Sequence, residues 1–391
     1  MRVIVVGAGL GGLTLAQGLH RAGIDVVVYE REGEQGRPQG ISLHVDDRGA
    51  TALRACLPPG HAAMAEATMG GPRRETLSLT ETDGKLTVLG ARPLDGTARA
   101  ARPGRQTARP LLRAVLLTGL EDRVRFGARF TRFERRADGR VRAWFAGGGS
   151  DTADVLVGAD GIGSAVRRQY LPHVRVLDTG THMLMGATPL RSVAGTGLPE
   201  LIGHNAATVR VRGAMMALGV LRFTQPPVAA RDRWLPALRG PAVTLAEDYV
   251  MWALPVTGER PGPEESPAEV WHRARKAAET LHPVLRTIVG RAWPGVTVAL
   301  RGATMPAVPA WPAGPVTVIG DAIHAAPGFG GNLAMQDAHR LRDALVRAAR
   351  GERELPAAIG EYEDAMRLDG FAAPMPPVRV PGGTGGAERR A

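Results

Sequence analysis

The 391-residue chain has a single cysteine, Cys56, which excludes a disulfide framework and a cysteine-ligated metal cluster. Lysine is almost missing: of 49 basic residues only Lys85 and Lys276 are lysines, so the net charge of +11 is carried by arginine. That charge would suit a nucleic-acid binder, but the arginines are scattered and no basic run is interleaved with aromatics. A solvated basic surface and no nucleic-acid partner are expected, and attraction of anionic substrates stays open. No apolar run approaches the ~20 residues of a membrane span. The N-terminus reads as a strand, without the basic–apolar–cleavage layout of a secretory signal, so no membrane partner and a cytoplasmic location are expected. No Ser/His/Asp arrangement, His-Glu-x-x-His or phosphate-binding lysine loop occurs, and no repeat is visible. Nothing in the sequence fixes an oligomeric state.

What is present begins at residue 3. Val3-Ile4-Val5-Val6 is a continuous β-branched run, as in a buried parallel strand. Gly7-Ala8-Gly9-Leu10-Gly11-Gly12 follows: Gly7 allows a tight turn, Gly9 close approach of backbone to a pyrophosphate, and Gly12 close helix–strand packing. A helix is predicted over Leu13 to Ala22, its N-terminal amides facing the phosphates. A second strand, Asp25 to Tyr29, ends at Glu30, whose carboxylate would bind ribose hydroxyls and oppose a 2′-phosphate. The tightly held nucleotide is therefore not NADP. The candidate nucleotide cradle is Gly7, Gly9, Leu10, Gly11, Gly12, Glu30 and Arg31.

Two more strand–turn units follow: Val157-Gly158-Ala159-Asp160-Gly161 and Val318-Ile319-Gly320-Asp321-Ala322-Ile323-His324. After the second, Gly328-Phe329-Gly330-Gly331-Asn332 leads into a helical stretch from Leu333 through Arg347, with Leu333, Ala338, Leu341 and Leu345 as its buried positions. Bare backbone at Gly330, Gly331 and Asn332 can approach a ligand closely.

Elsewhere, Gly36 to Gly40 leads into an extended Ile41-Ser42-Leu43-His44, and a helix is predicted from Asp47 to Leu57. Arg109-Pro110 opens another, with proline in the first turn. Strands are predicted within 73–98 and at Val124–Phe133, Val141–Phe145 and Asp154–Val157. Residues 171–289 read as a separate substrate-facing sheet.

In their order these segments resemble the single-component FAD-dependent aromatic hydroxylases, the p-hydroxybenzoate hydroxylase-like family, over about residues 1–371. The resemblance implies an α/β protein: a discontinuous Rossmann-like FAD-binding domain (1–72, 99–170 and 290–371) with a β-sheet-rich substrate domain (73–98 and 171–289). The Pro-, Gly- and Arg-rich 372–391 is expected to be a disordered tail.

By position, Arg109 matches the arginine that holds the FAD phosphates. Asp160, followed by Gly161, matches the aspartate near the pyrophosphate and the nicotinamide route. Gly320 and Asp321 match the pair that binds the ribityl chain, and the helix after Asn332 would stabilise the anionic reduced flavin. The implied activity is a monooxygenase of secondary metabolism. It would hydroxylate or epoxidise an aromatic or polyketide-like molecule, using O2 and a diffusing NADPH or NADH, through a flavin hydroperoxide.

No catalytic acid or base is identified. His324 is a loop anchor in the family, and His44 is a lone histidine on a strand. Met183, Met185, Met215 and Met216 suit either core or an adaptable apolar pocket. The paired tryptophans of flavin halogenases are absent, since Trp252 has no companion. The stretch from His324 to Asn332 is a few residues shorter than the family's loop. That keeps open an FAD-containing non-redox cyclase or an inactive flavin-binding module.

Overall fold

A computed structural model describes residues 1–36, 40–94, 102–211, 213–256, 262, 265–325 and 330–371. The expected tail and residues 326–329 of the glycine-rich loop lie outside the described residues, as does the interior of the Gly36 to Gly40 turn.

Five strands form a parallel sheet in the order Val316–Val318, Val155–Gly158, Arg2–Val6, Asp25–Tyr29, Val124–Arg125. Val3, Ile4, Val5, Val155, Leu156 and Val157 are fully buried, which is why these strands read as unbroken apolar runs. Sequentially distant segments thus lie side by side, with Val3 paired to both Val26 and Val155.

The helix Leu10–Arg21 starts three residues before its predicted start, because Gly11 and Gly12 fit inside its first turn. It packs on the 20-residue helix Gly330–Ala349, where Gly11 meets Ala334 closely. The predicted stripe Leu333, Ala338, Leu341 and Leu345 is buried. The helix Asp47–Cys56 is capped by Asp46, whose carboxylate accepts from the Arg48 and Gly49 amides.

The second large element is a seven-stranded sheet in the order Val298–Thr304, Leu177–Pro189, Tyr249–Val256, Ala214–Leu221, Ala206–Val211, Glu75–Thr82, Lys85–Pro93. Six of its strands lie within 75–93 and 177–256. Val298–Thr304 also joins, pairing Leu300 with Met183, a long-range partnership that local pattern does not encode. One face carries Leu184, Trp252, Leu218 and Val209 into a core with Val270, Leu285 and Ile288 of the helices Pro267–Ala277 and Pro283–Gly290. These two helices escaped the β-rich reading of this region.

A small sheet joins the two units. Ser42–Asp46 and Pro72–Arg73 both pair antiparallel with Gly104–Ala108. No helix among the described residues is long and apolar enough to cross a membrane.

Candidate functional site

The three turns picked out in the sequence meet at the C-terminal ends of the parallel strands, where open α/β sheets place their ligands. Ala159 N donates to Val6 O at 2.8 Å and Ile319 N to Gly158 O at 2.9 Å. Gly7 sits at φ +112°, and a Cβ there would lie 2.4 Å from Ala159 O. Gly12 is as constrained, with its added Cβ 2.1 Å from Gly7 O, whereas a Cβ on Gly9 would meet nothing within 4 Å. Leu10–Arg21 has Gly9 as N-cap, no side-chain cap and no acid in its first turn. Its leading N–H groups have neither an intrahelical partner nor a capping carboxylate, and the N-cap Gly9 borders open space, as a pyrophosphate site requires.

Glu30 follows the strand Asp25–Tyr29 and braces the loop. Its carboxylate accepts from Ala8 N at 2.7 Å and from Glu32 N at 2.9 Å. Arg31 turns outward to Glu32, 3.1 Å away. Sequence reasoning missed Arg113, whose Nε donates to Ala8 O at 3.2 Å and Nη1 to Glu34 O at 3.0 Å. Burial lowers its pKa, against the pull of Glu30 and Glu34. We expect Glu30→Ala to weaken FAD binding by about 1–3 kcal/mol, the scale of a charge-assisted hydrogen bond. Fluorescence titration checks this, and an unchanged Kd would assign the carboxylate to bracing the loop alone.

Asp160 is turned toward its own chain. It accepts from Ser164 Oγ at 2.5 Å and from the Ala165 and Val166 amides at 2.7 and 3.3 Å, at the start of the helix Ala165–Tyr170 that Ser164 caps. Burial raises its pKa against those hydrogen bonds. Gly161, at φ +72°, has open space around it. Arg167, another residue the sequence reading missed, staples the two aspartate turns by donating to Ile162 O at 3.0 Å and Ala322 O at 2.9 Å.

Asp321 lines a recess: its carboxylate is solvent-accessible yet closely surrounded by protein. Desolvation raises its pKa, while His324 and Arg109 pull it down. Gly330 is what leaves room for it, since a Cβ there would stand 2.1 Å from Asp321 Oδ1. A Cβ on Gly331 would stand 2.8 Å from Leu43. Both glycines are therefore needed by the packing of the loop itself. Asn332 is buried and ties the helix start to Ser42–Asp46, accepting from Asp46 N at 3.1 Å and donating to His44 O at 2.7 Å. Gly320, at φ +61°, donates its N–H to Asp337 Oδ2 at 2.8 Å.

Asp337 also meets His324 Nε2 at 2.5 Å, both side chains sealed from solvent. Burial opposes charge on His324, but the Asp337 carboxylate overrides it and holds the pKa above the ordinary 6.5. His324 therefore anchors the turn. Its contribution to stability is complete below about pH 6.5 and is lost as pH rises through the raised folded-state pKa. We expect the urea midpoint of the wild type to fall across that window relative to His324→Gln, and parallel pH profiles would contradict it. The signal for Asp337 was in the sequence: it is a charge four residues after Leu333, on the helix's apolar stripe.

The face of the large sheet opposite the helices Pro267–Ala277 and Pro283–Gly290 adjoins this cradle and is buried against the cradle's core at Ala187, Leu221 and Tyr249. Met185 Sδ lies 3.0 Å from the Cβ position of Gly40, and Tyr249 Oη bonds Ser42 Oγ at 3.2 Å. Half-buried Met183, Met185, Met215 and Met251 share that face with Ala217 and Ala253, giving a wide apolar floor. Met216 is fully buried on the opposite face. Gly219 leaves room for Gln106, whose Oε1 is 2.7 Å from the Cβ position. Gln106 Nε2 donates to Ser42 Oγ at 2.5 Å.

Residues 1–367 match the family model described as FAD binding domain. The chain belongs to the FAD-dependent aromatic hydroxylase family. It is 30% identical over 393 residues to an FAD-dependent urate hydroxylase of Klebsiella pneumoniae, covering 94% of this chain and 86% of the relative. It is 29% identical over 417 residues to a dual O-methyltransferase/FAD-dependent monooxygenase of Phaeosphaeria nodorum, covering 94% of this chain but 43% of the relative. The chain thus spans less than half the length of the dual-function relatives it matches. A solved protein from Photorhabdus luminescens assigned as an FAD-containing monooxygenase superposes with TM-score 0.75 at 28% identity, over 94% of both chains. The Klebsiella pneumoniae protein HpxO, solved with FAD and uric acid, shares the fold at TM-score 0.70 and 23% identity, covering 95% of this chain and 85% of that one. FAD is the cofactor this family binds, and the open, uncapped helix start beside Glu30 and the Asp321 recess fit it.

Proposed function

We propose that the chain is an FAD-dependent monooxygenase that takes reducing equivalents from a diffusing NADPH or NADH and inserts one oxygen atom of O2 into an aromatic or polyketide-like small molecule. One observation carries the reading: an open dinucleotide cradle whose Asp321 recess adjoins, through Ser42–Asp46 and Asn332, an apolar methionine-floored sheet face. In this reading segments 1–72, 99–170 and 290–371 without Val298–Thr304 would hold the cofactor, and 73–98 with 171–289 and that strand, which belongs to the seven-stranded sheet, would face the substrate.

FAD bound in the cradle supplies the electron relay from nicotinamide to oxygen. The chain's own residues position and shield. The amides at the start of Leu10–Arg21 and Arg109 would meet the phosphate charge, Glu30 would take the ribose hydroxyls, and Asp321 would accept from the ribityl chain. Met183, Met185, Met215 and Met251 keep water from the reacting ring and adapt to its shape. Two relatives carry heteroaromatic molecules in their names, an FAD-dependent urate hydroxylase and a 2-heptyl-3-hydroxy-4(1H)-quinolone synthase. That range supports a planar, electron-rich substrate.

The test is O2-dependent oxidation of NADPH or NADH by FAD-loaded protein across a panel of phenols, quinolones and polyketide aromatics, with product mass read in parallel. A product heavier by one oxygen atom supports the reading. FAD-loaded protein that oxidises neither nicotinamide with any panel member favours the non-redox cyclase or inactive module instead.

A further inference from the structure

The three-stranded sheet presents Ser42, His44, Gln106 and Arg73 on one face, since His44 pairs with Gln106, and Gly104 pairs with both Asp46 and Arg73. Arg73 Nη2 donates to Thr76 Oγ1 at 3.3 Å. Thr76 lies on the face of the large sheet opposite the buried Leu77 and Leu79, which is the methionine-floored one. Arg73 Nε is sealed from solvent and has no hydrogen-bond partner among the described residues. Among the described residues no carboxylate pairs with its guanidinium. The same-face acid, Asp46, is bound by Arg48 at 2.5 Å and by the helix it caps, and a second cation, Arg92, adds its repulsion to the burial of Arg73. Burial therefore pushes the Arg73 pKa down to about 10.

Beside it, His44 Nε2 lies 2.8 Å from Arg102 O, so Nε2 carries the proton and Nδ1 is an acceptor, sealed and without a partner. Burial first and Arg73 second lower the His44 pKa, which keeps the ring neutral. An unbalanced guanidinium is costly to bury unless an anion arrives to meet it.

We propose that Arg73 is the anion-binding residue of the substrate site: it holds an ionised oxygen on the aromatic substrate, with His44 Nδ1 accepting a hydrogen bond from a hydroxyl next to that oxygen. This rests on the reading of the methionine-floored face as substrate-facing. It narrows the substrate class to acidic aromatics, either carboxylates or phenols and enols ionised on binding. Arg73 orients the ring over the apolar floor, and an oxyanion in conjugation would enrich the ring in electrons.

The experiment titrates FAD-loaded wild type, Arg73→Met and Arg73→Lys at neutral pH with 2-naphthoate, 2-naphthol and neutral 2-naphthamide. Ligand fluorescence reads affinity, and the red-shifted absorbance of naphtholate reads ionisation. Tight naphthoate identifies a carboxylate site, and naphthol bound as naphtholate identifies a phenolate site. In either case the anion binds at least tenfold more tightly than the amide to wild type, Arg73→Met loses about ten- to a hundredfold in anion affinity, and Arg73→Lys regains part. Because Met removes an unbalanced cation, the Arg73→Met melting temperature stays level or rises. Equal responses to all three ligands, no response to any included, overturn the proposal, as does an Arg73→Met protein that melts lower and binds no differently. Failure to oxidise a nicotinamide would sink the monooxygenase reading and leave this binding contrast standing, so the two failures are told apart.

Discussion

Asp337→Ala is expected to destabilise the protein by about 3–5 kcal/mol, the range for breaking a buried ion pair by removing one partner. The Asp337 carboxylate takes His324 Nε2 and the Gly320 amide on the same oxygen, Oδ2, in a site where both side chains are almost fully buried. Alanine leaves an imidazole and a backbone N–H without partners at the foot of the Asp321 turn. FAD affinity should therefore fall together with stability. Asp337→Asn keeps one acceptor oxygen for both donors but loses the negative charge that favours protonated His324, and should lie between. Urea denaturation of the three proteins measures this, and a loss below about 1 kcal/mol for Asp337→Ala would mean that water replaces the carboxylate and the pair is not buried in solution.

Gly12→Val is the second large effect. Its Cβ would stand 2.1 Å from Gly7 O, an atom of the backbone that cannot rotate away as a side chain can. Overpacking commonly costs about 1–3 kcal/mol, and here relief requires moving either the turn at Gly7 or the whole helix start. Both hold the cradle, so we expect FAD binding to be lost and the melting temperature to drop. Gly9→Ala supplies the contrast. Its Cβ meets no protein atom within 4 Å, so the apoprotein should melt normally while FAD, whose pyrophosphate needs that space, binds more weakly. If Gly9→Ala and the wild type bind FAD equally, the open space beside Gly9 is not the phosphate site.

Most of the cofactor-binding half was legible in the sequence because its signals are local. An apolar β-branched run, a glycine turn and an acid at the end of the next strand each follow from short-range backbone and packing rules. Val3 to Glu30 obeys all of them. Asp321 and Gly330 were named separately in the sequence, and their dependence on each other appears only where the missing Cβ of Gly330 admits the carboxylate. Arg113, Arg167 and Arg73 were not distinguishable among 49 basic residues, since what sets them apart is burial and partners. The strand Val298–Thr304 and the helices Pro267–Ala277 and Pro283–Gly290 were missed for a related reason. The strand's place is decided by pairing with Leu177–Pro189 more than a hundred residues away, and the helices by their burial against Trp252 and Leu184.

The central claim, that these separated segments assemble one FAD cradle, is tested most directly by the absorbance spectrum of purified protein after incubation with excess FAD and removal of unbound cofactor. The account predicts oxidised-flavin bands that travel with the protein, release of intact FAD on denaturation, and loss of those bands in Gly12→Val. Wild-type protein that emerges colourless would contradict it.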